Sequence, residues 1–335
     1  MKQIVIAALA ATALSAALAA QSQAPASEVI LSPGPSAARF PRNVEEFDRM
    51  FNEIKNWGRW GKDDQLGAAN LITPATRRKA IALAKEGITV SLAHPPLKEA
   101  APDNPNPFNH TMNRGLTTDT YSVSYHGYAH SHIDALCHFL WKDQTYNGYR
   151  REEVLSDKGC LKLSVDTYKN GVVTRGVLID MPRLKKVPWL EPGTPVFVED
   201  IEAWEKMANV KIGPGDAIFL RTGRWPRREK LGPWAVGRNE AGYHASVAPW
   251  LKQRGVSFVG SDDAQDVVPS LVEGIALPFH TAIIAGLGID ILDNQDLEAV
   301  AETAAKLNRW EFLLSVAPVP VTGGTGFPAN ALAIF

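Results

Sequence analysis

The sequence predicts an α/β protein. Short apolar runs of strand character recur along the chain, capped helical segments lie between them, and turn signals separate the two.

Taken in order, residues 1–20 begin with Met1-Lys2, continue through the apolar "IVIAALAATALSAALAA" and close near Ala17-Leu18-Ala19, a small-x-small cleavage pattern. The run is short and lacks a positive stop-transfer flank, so it reads as a secretory signal peptide. Residues 21–43 are rich in Ser, Ala and Pro and read as an extended arm. Residues 44–335 contain neither linker nor repeat and are expected to form a single domain. Within it, "TPATRRKAIALAKEG" predicts a helix from N-cap Thr73 and Pro74 to C-cap Gly87. "GVLIDM" (176–181) and the run 217–222, which follows a Gly-Pro-Gly-Asp turn, predict strands. "ASVAPWLKQRG" predicts a helix ending at Gly255, and "VSFVGSDD" a strand ending in carboxylates. "LPFHTAIIAGLGIDIL" is apolar enough to be buried, yet carries His280.

Composition excludes several classes. Of 335 residues, 45% are hydrophobic and 21% charged, with net charge −1. No basic block suits nucleic acid, and no second stretch is long enough to span a bilayer. After leader cleavage the chain is expected in an exported compartment, the periplasm of a bacterium. Its two cysteines, Cys137 and Cys160, are expected to be unbonded. A core of this size does not require a bridge, and Cys137 reads as a small buried hydrophobe.

The segment "SYHGYAHSHIDALCHFLW" (124–141) holds four of the chain's eight histidines and an aspartate among apolar neighbours. His126, Tyr128, His130, His132 and Asp134 have one parity, so a strand would line them on one face at about 3.3 Å per residue. Imidazoles and a carboxylate crowded on one face suit a divalent cation such as zinc, manganese or iron. His138 lies just beyond Asp134, where a proton carrier would sit. A cupin-like pattern is incomplete: Gly127 is too close to the H-x-H pair and no glutamate follows at the right distance.

"HSHIDALCHF" resembles the H-x-G-T-H-x-D-x-P-x-H-F signature of the metal-dependent cyclase family, which includes bacterial kynurenine formamidase and isatin hydrolase. "WGRWGKDDQLGAANLITP" (57–74), "GDAIFLRTG" and "LPFHTAIIAGLGIDILDNQDLEAV" resemble further ordered motifs of that family, over about residues 55–320. The resemblance implies a compact swivelling β/β/α domain, often dimeric, so a homodimer is expected. It implies metal ligands at His132 and Asp134, a general acid/base at His138, a histidine reaching the metal at His280, and Asp293 where the family has a ligating glutamate. One or two ions are expected, zinc or manganese. Tyr128 occupies the family's first ligand position. Parity and nearness nominate His130 as its replacement, with His126 the alternative.

Such a centre points to hydrolysis of an amide, formamide, lactone or lactam by activated water, with His138 moving the proton. No G-x-S-x-G supports a serine hydrolase. A 2-His-1-carboxylate oxygenase using His132, Asp134 and His280, or a non-enzymatic exported binding protein, are the alternatives. The expected partner is a small cyclic or aromatic substrate, and Trp60, Trp141 and Arg221 are the expected substrate-binding residues.

Overall fold

Continuous apolar strands that need cover on both faces build the centre of the molecule. The computed structural model describes residues 40–335; the predicted leader and most of the predicted arm lie outside them. Nine strands form one sheet among the described residues. Numbered along the chain they are β1 (Thr89–Ser91), β2 (His132–Asp134), β3 (Val172–Asp180), β4 (Ala217–Arg221), β5 (Phe258–Ser261), β6 (Asp290–Asp293), β7 (Glu311–Val316), β8 (Gly326–Pro328) and β9 (Leu332–Ile334). Their spatial order is β1-β9-β7-β3-β4-β5-β6-β2-β8.

The middle four, β3 to β6, run parallel, with Gly176 and Phe258 both opposite Ala217 and Phe258 also opposite Asp290. Their sequences "AIFL", "FVGS" and "DILD" are buried throughout. On one flank β7, β9 and β1 pair antiparallel. On the other, β2 pairs antiparallel with β6, and β8 antiparallel with β2. With the helices below, this is a mixed α/β architecture.

Helix Val44–Ile54 starts at Asn43, whose side chain accepts from the Glu46 amide at 3.0 Å, and buries Phe47, Met50, Phe51 and Ile54. The helix expected over 73–87 begins at Thr73 as predicted but stops at Ile81. Ala80 is its only buried residue, so no apolar face rewards extension. Residues 82–87 turn instead and donate the Glu86 and Gly87 amides to the Phe335 carbonyl at 3.2 and 2.9 Å. Helix Ala248–Arg254 ends at left-handed Gly255, as its sequence predicts. Buried residues 278–287 form a helical turn, Pro278–His280, widening into a π-helix, Thr281–Leu287. No helix among the described residues is long and apolar enough to cross a membrane.

The cysteine expectation is corrected. Cys137 and Cys160 are joined in a disulfide. Both flank the 323–325 loop: Cys160 donates its amide to Gly323 O at 2.8 Å, and Ala135 donates to Thr325 O at 2.9 Å. That shared neighbour, invisible in sequence spacing, brings the sulfurs together. Gly326 admits β8 beside β2, because a Cβ there would fall 2.2 Å from the Ile133 carbonyl oxygen.

The bridge closes a loop of sequence separation 23, worth about 3 kcal/mol through lost unfolded-state entropy. Cys160→Ser should lower the urea-derived unfolding free energy by about that amount under oxidising conditions. Reductant should abolish the difference from wild type; equal stabilities without reductant would contradict it.

Candidate metal centre

Strand β2 carries the centre of the cluster. Its pairing sets His132 opposite Asp293 of β6, one strand over at the carboxyl end of the parallel set. Asp134 follows on the same face. His280 enters from the buried helix 278–287, and His126 from the chain before β2. These groups and His138 line one cavity of about 110 Å³, together with Gly127, Tyr128, Phe139, Ala264 and Leu277.

The expectation of a strand through residues 126–134 is overturned. Only residues 132–134 are extended; residues 126–129 form turns, with Gly127 at φ +122°. Parity therefore fails, and the choice between the two candidate histidines reverses. His126 Nδ1 lies 2.9 Å from Asp134 Oδ1. His130 is buried outside the cavity, with Nε2 3.4 Å from the Asn106 carbonyl and its ring against Phe108.

Each imidazole of the two candidate metal-binding groups is held from its outer side. His132 Nδ1 donates to the His130 carbonyl at 2.7 Å, and His280 Nδ1 donates to Asp266 Oδ2 at 2.6 Å. Both partners are acceptors only, so those nitrogens carry protons, and Nε2 is turned inward, where it holds either a second proton or a lone pair. His126 Nε2 meets Thr325 Oγ1 at 2.8 Å, leaving Nδ1 inward. The inward atoms face carboxylate oxygens: His132 Nε2 is 3.2 Å from Asp134 Oδ1, and His280 Nε2 is 3.4 Å from Asp293 Oδ2. His126 Nδ1 and Asp134 Oδ1 are buried and lack hydrogen bonds despite their proximity. Lone pairs pointed at lone pairs in a buried site require a proton or a cation between them.

Two triads can hold an ion, His126/His132/Asp134 and Asp134/His280/Asp293, with Asp134 common to both. Without metal, burial pushes the His132 imidazole down, but Asp134 and Asp293 lift it to about 9. Against burial, His132 and His138 hold Asp134 well below the usual carboxylate range. His138 stacks on His126 at 3.8 Å with its Nε2 3.7 Å from Asp134 Oδ2. Burial, reinforced by His126, His280 and His132, lowers its pKa to about 4 despite Asp134.

Several supporting residues carry no sequence-local signal. Asp266 accepts the Phe279 and His280 amides at 2.7 and 2.9 Å as well as the His280 ring, so one carboxylate caps that turn and aims its ligand. Asn294, left-handed at φ 54°, donates to the Gly127 and His130 carbonyls at 2.7 and 3.2 Å and accepts from Arg224 at 2.6 Å. Arg224 is buried and also reaches the Tyr128 carbonyl and Asp263. It anchors the histidine loop rather than a substrate carboxylate. Asp262 accepts the amides of residues 222–224 at the start of a helix, and His244 accepts from the Ser246 amide, a local cap.

The structure places the three expected substrate-binding residues elsewhere. Arg221 is engaged by Glu298 at 2.6 Å and Asp180 at 2.8 Å. Trp141 donates to Asp48 at 2.7 Å and packs on Phe47, while Trp60 lies under Arg59. None lines the cavity. Each is satisfied by neighbours that the linear sequence does not reveal. Phe139 and Leu277 supply the apolar wall instead.

The family model for Cyclase matches residues 55–265. Among solved structures, the chain is similar to one described as a novel cyclase, at 28% identity and TM-score 0.76, covering 85% of this chain and 99% of that one. It also shares its fold with isatin hydrolase A from Ralstonia solanacearum, at 20% identity, TM-score 0.53 and coverage of 78% and 98%. Isatin hydrolase A from Labrenzia aggregata, bound to benzyl benzoate, matches at 20% identity and TM-score 0.51, with coverage of 77% and 98%. No curated protein matches the sequence.

Two outcomes follow from this geometry. After dialysis against buffered metal, Asp134→Asn should retain almost none and His126→Ala at least tenfold less than wild type, while His130→Ala keeps the full complement; metal analysis that reverses the two histidines would refute the assignment. Burial raises Asp263 to about 7, and its acidic neighbour Asp262 adds to this. The folded state thus binds a proton that the unfolded state releases, and stability from this group declines as pH rises toward about 7. Asp263→Asn should flatten the slope of unfolding free energy between pH 4 and 7; an unchanged slope would contradict it.

Proposed function

The chain belongs to the Cyclase family, and on that premise we propose that it is a metal-dependent hydrolase cleaving a C–N or C–O acyl bond of a small molecule. The observation that carries the reading is the set of inward-facing imidazole nitrogens and buried carboxylates that lie close enough to share an ion. The donor set of nitrogen and oxygen suits zinc or manganese, and His126, His132, Asp134, His280 and Asp293 would hold one or two ions. A divalent cation, when bound, supplies Lewis acidity for the acyl oxygen and acidifies a water molecule.

The chain's own residues account for the rest. His138 is neutral in the ordinary pH range and lines the cavity, so Nε2 accepts the proton of an attacking water. The water oxygen adds to the acyl carbon. When the bond to nitrogen or oxygen breaks, the same proton passes to the leaving atom, giving a carboxylate with an amine or alcohol. Phe139 and Leu277 give the substrate an apolar surface and exclude bulk water. Amides, formamides, lactones and lactams fit this scheme equally, and the isatin hydrolase neighbours make a cyclic aryl amide a suitable first probe. The leader-like sequence of residues 1–20 supports export to a periplasm, and the likeness to a family that is often dimeric supports a homodimer.

A chelator should abolish hydrolysis across a panel of aryl formamides, cyclic imides and lactones, and added zinc or manganese should restore it. His138→Ala should retain metal and lose turnover by about a hundredfold or more. Loss of metal together with turnover would make His138 a ligand. Oxygen uptake in step with substrate loss would replace hydrolysis by oxygenation.

A further inference from the structure

One wall residue of the cavity has no assigned work. Tyr128 lines it, and its backbone carbonyl is fixed by Arg224. Its ring tip rests on Gly237, where a Cβ would come 2.5 Å from Cε2 and 3.0 Å from the hydroxyl oxygen. Only glycine leaves that space. The ring is thus held at both ends, yet its hydroxyl makes no hydrogen bond among the described residues. A fixed, half-buried phenol with a free O–H beside a catalytic cavity is preorganised to meet a ligand.

The charge around the cavity defines what that ligand is. No lysine or arginine lines it among the described residues. The nearby guanidinium groups are committed, Arg221 to Asp180 and Glu298, and Arg224 to Asp263, Asn294 and Tyr128 O. Asp134 and Asp293 line the cavity and Asp266 lies behind His280. With a single divalent cation bound, the two lining carboxylates would be offset and no positive excess would remain for a substrate carboxylate. The remaining wall is Phe139, Leu277 and Ala264, around a volume of about 110 Å³.

We propose that Tyr128 is the substrate-positioning residue of a cavity built for an uncharged acyl compound, its phenol donating a hydrogen bond to an oxygen of that compound. The proposal rests on the hydrolase reading and names its substrate class. Apolar walls take the ring, and Tyr128 supplies the neutral donor that sets its orientation.

The test uses the full-length metal-loaded protein with formanilide and isatin as neutral probes, and 4-formamidobenzoate and isatin-5-carboxylate as their anionic counterparts. The neutral member of a pair should show at least tenfold higher kcat/KM. Tyr128→Phe should lower kcat/KM for it about tenfold, chiefly through KM, with metal content and Tm unchanged. Gly237→Ala, which displaces the ring tip, should cost a similar factor alone and nothing further when combined with Tyr128→Phe. Full activity in Tyr128→Phe, or preference for the anionic members, overturns the proposal. If wild type hydrolyses none of the probes, nor any other compound of the panel, the hydrolase reading fails. Isothermal titration of the same pairs then judges the site itself: tighter binding of the neutral member, weakened by Tyr128→Phe, supports the proposal, and tighter anion binding or no effect of the variant refutes it.

Discussion

The insertion of β2 between β6 and β8 is the constraint on which the rest depends. That register fixes His132 opposite Asp293 and puts Asp134 beside both. Backbone pairing thus brings His132, Asp134 and Asp293 together, while His126 and His280 reach them from outside the sheet. The side chains of His132, Asp134, His280 and Asp293 are at most 4% exposed. Groups so dehydrated would be strongly destabilising unless compensated, and the fold provides no lysine or arginine among them. Compensation must come from protons on the imidazoles or from a cation, and the outer-side hydrogen bonds arrange the nitrogens for the latter.

Those outer bonds come from scattered parts of the chain: the His130 carbonyl, Thr325 before β8, and Asp266 in the loop after β5. Each decides which nitrogen carries a proton, and so which lone pair is presented. The loop bearing His126 is not regular structure, and its position relies on Asn294 and Arg224 holding the Gly127, Tyr128 and His130 carbonyls. Arg224 is itself balanced by Asp263 and Asp103. A buried charge network far less accessible than the cavity thus sets the geometry of the ligands within it.

The contrast between legible and illegible features follows from range. Strands such as 217–221 and the helix ending at Gly255 were readable because burial and capping are local. His132, Asp134 and His138 stood out as chemistry, since so many imidazoles in an apolar segment need a reason; His280 and Asp293 came only from the resemblance to the cyclase family. The choice between His126 and His130 was not, because the parity argument presupposed a strand through Gly127, whose left-handed conformation breaks it. The disulfide, the commitment of Arg221 to Glu298, and Asp266 behind His280 all depend on tertiary contacts between separate segments. No spacing in the sequence encodes them.

Exposure separates the roles within the imidazole cluster. His132 and His280 are 1% and 4% exposed and are tied to acceptors, so neither can exchange protons readily with solvent. His126 is 29% exposed, with Nε2 taken by Thr325 and Nδ1 turned into the buried cluster 2.9 Å from Asp134. His138 is 28% exposed, with Asp134 Oδ2 3.7 Å from its Nε2. Its stacking on His126 fixes the ring plane without consuming either nitrogen. A stacked ring that is neutral at ordinary pH and partly open to water is better placed for proton transfer than the buried imidazoles of His132 and His280. What each imidazole has left unbonded, and not its place in a shared motif, separates the candidate ligands from the candidate proton carrier.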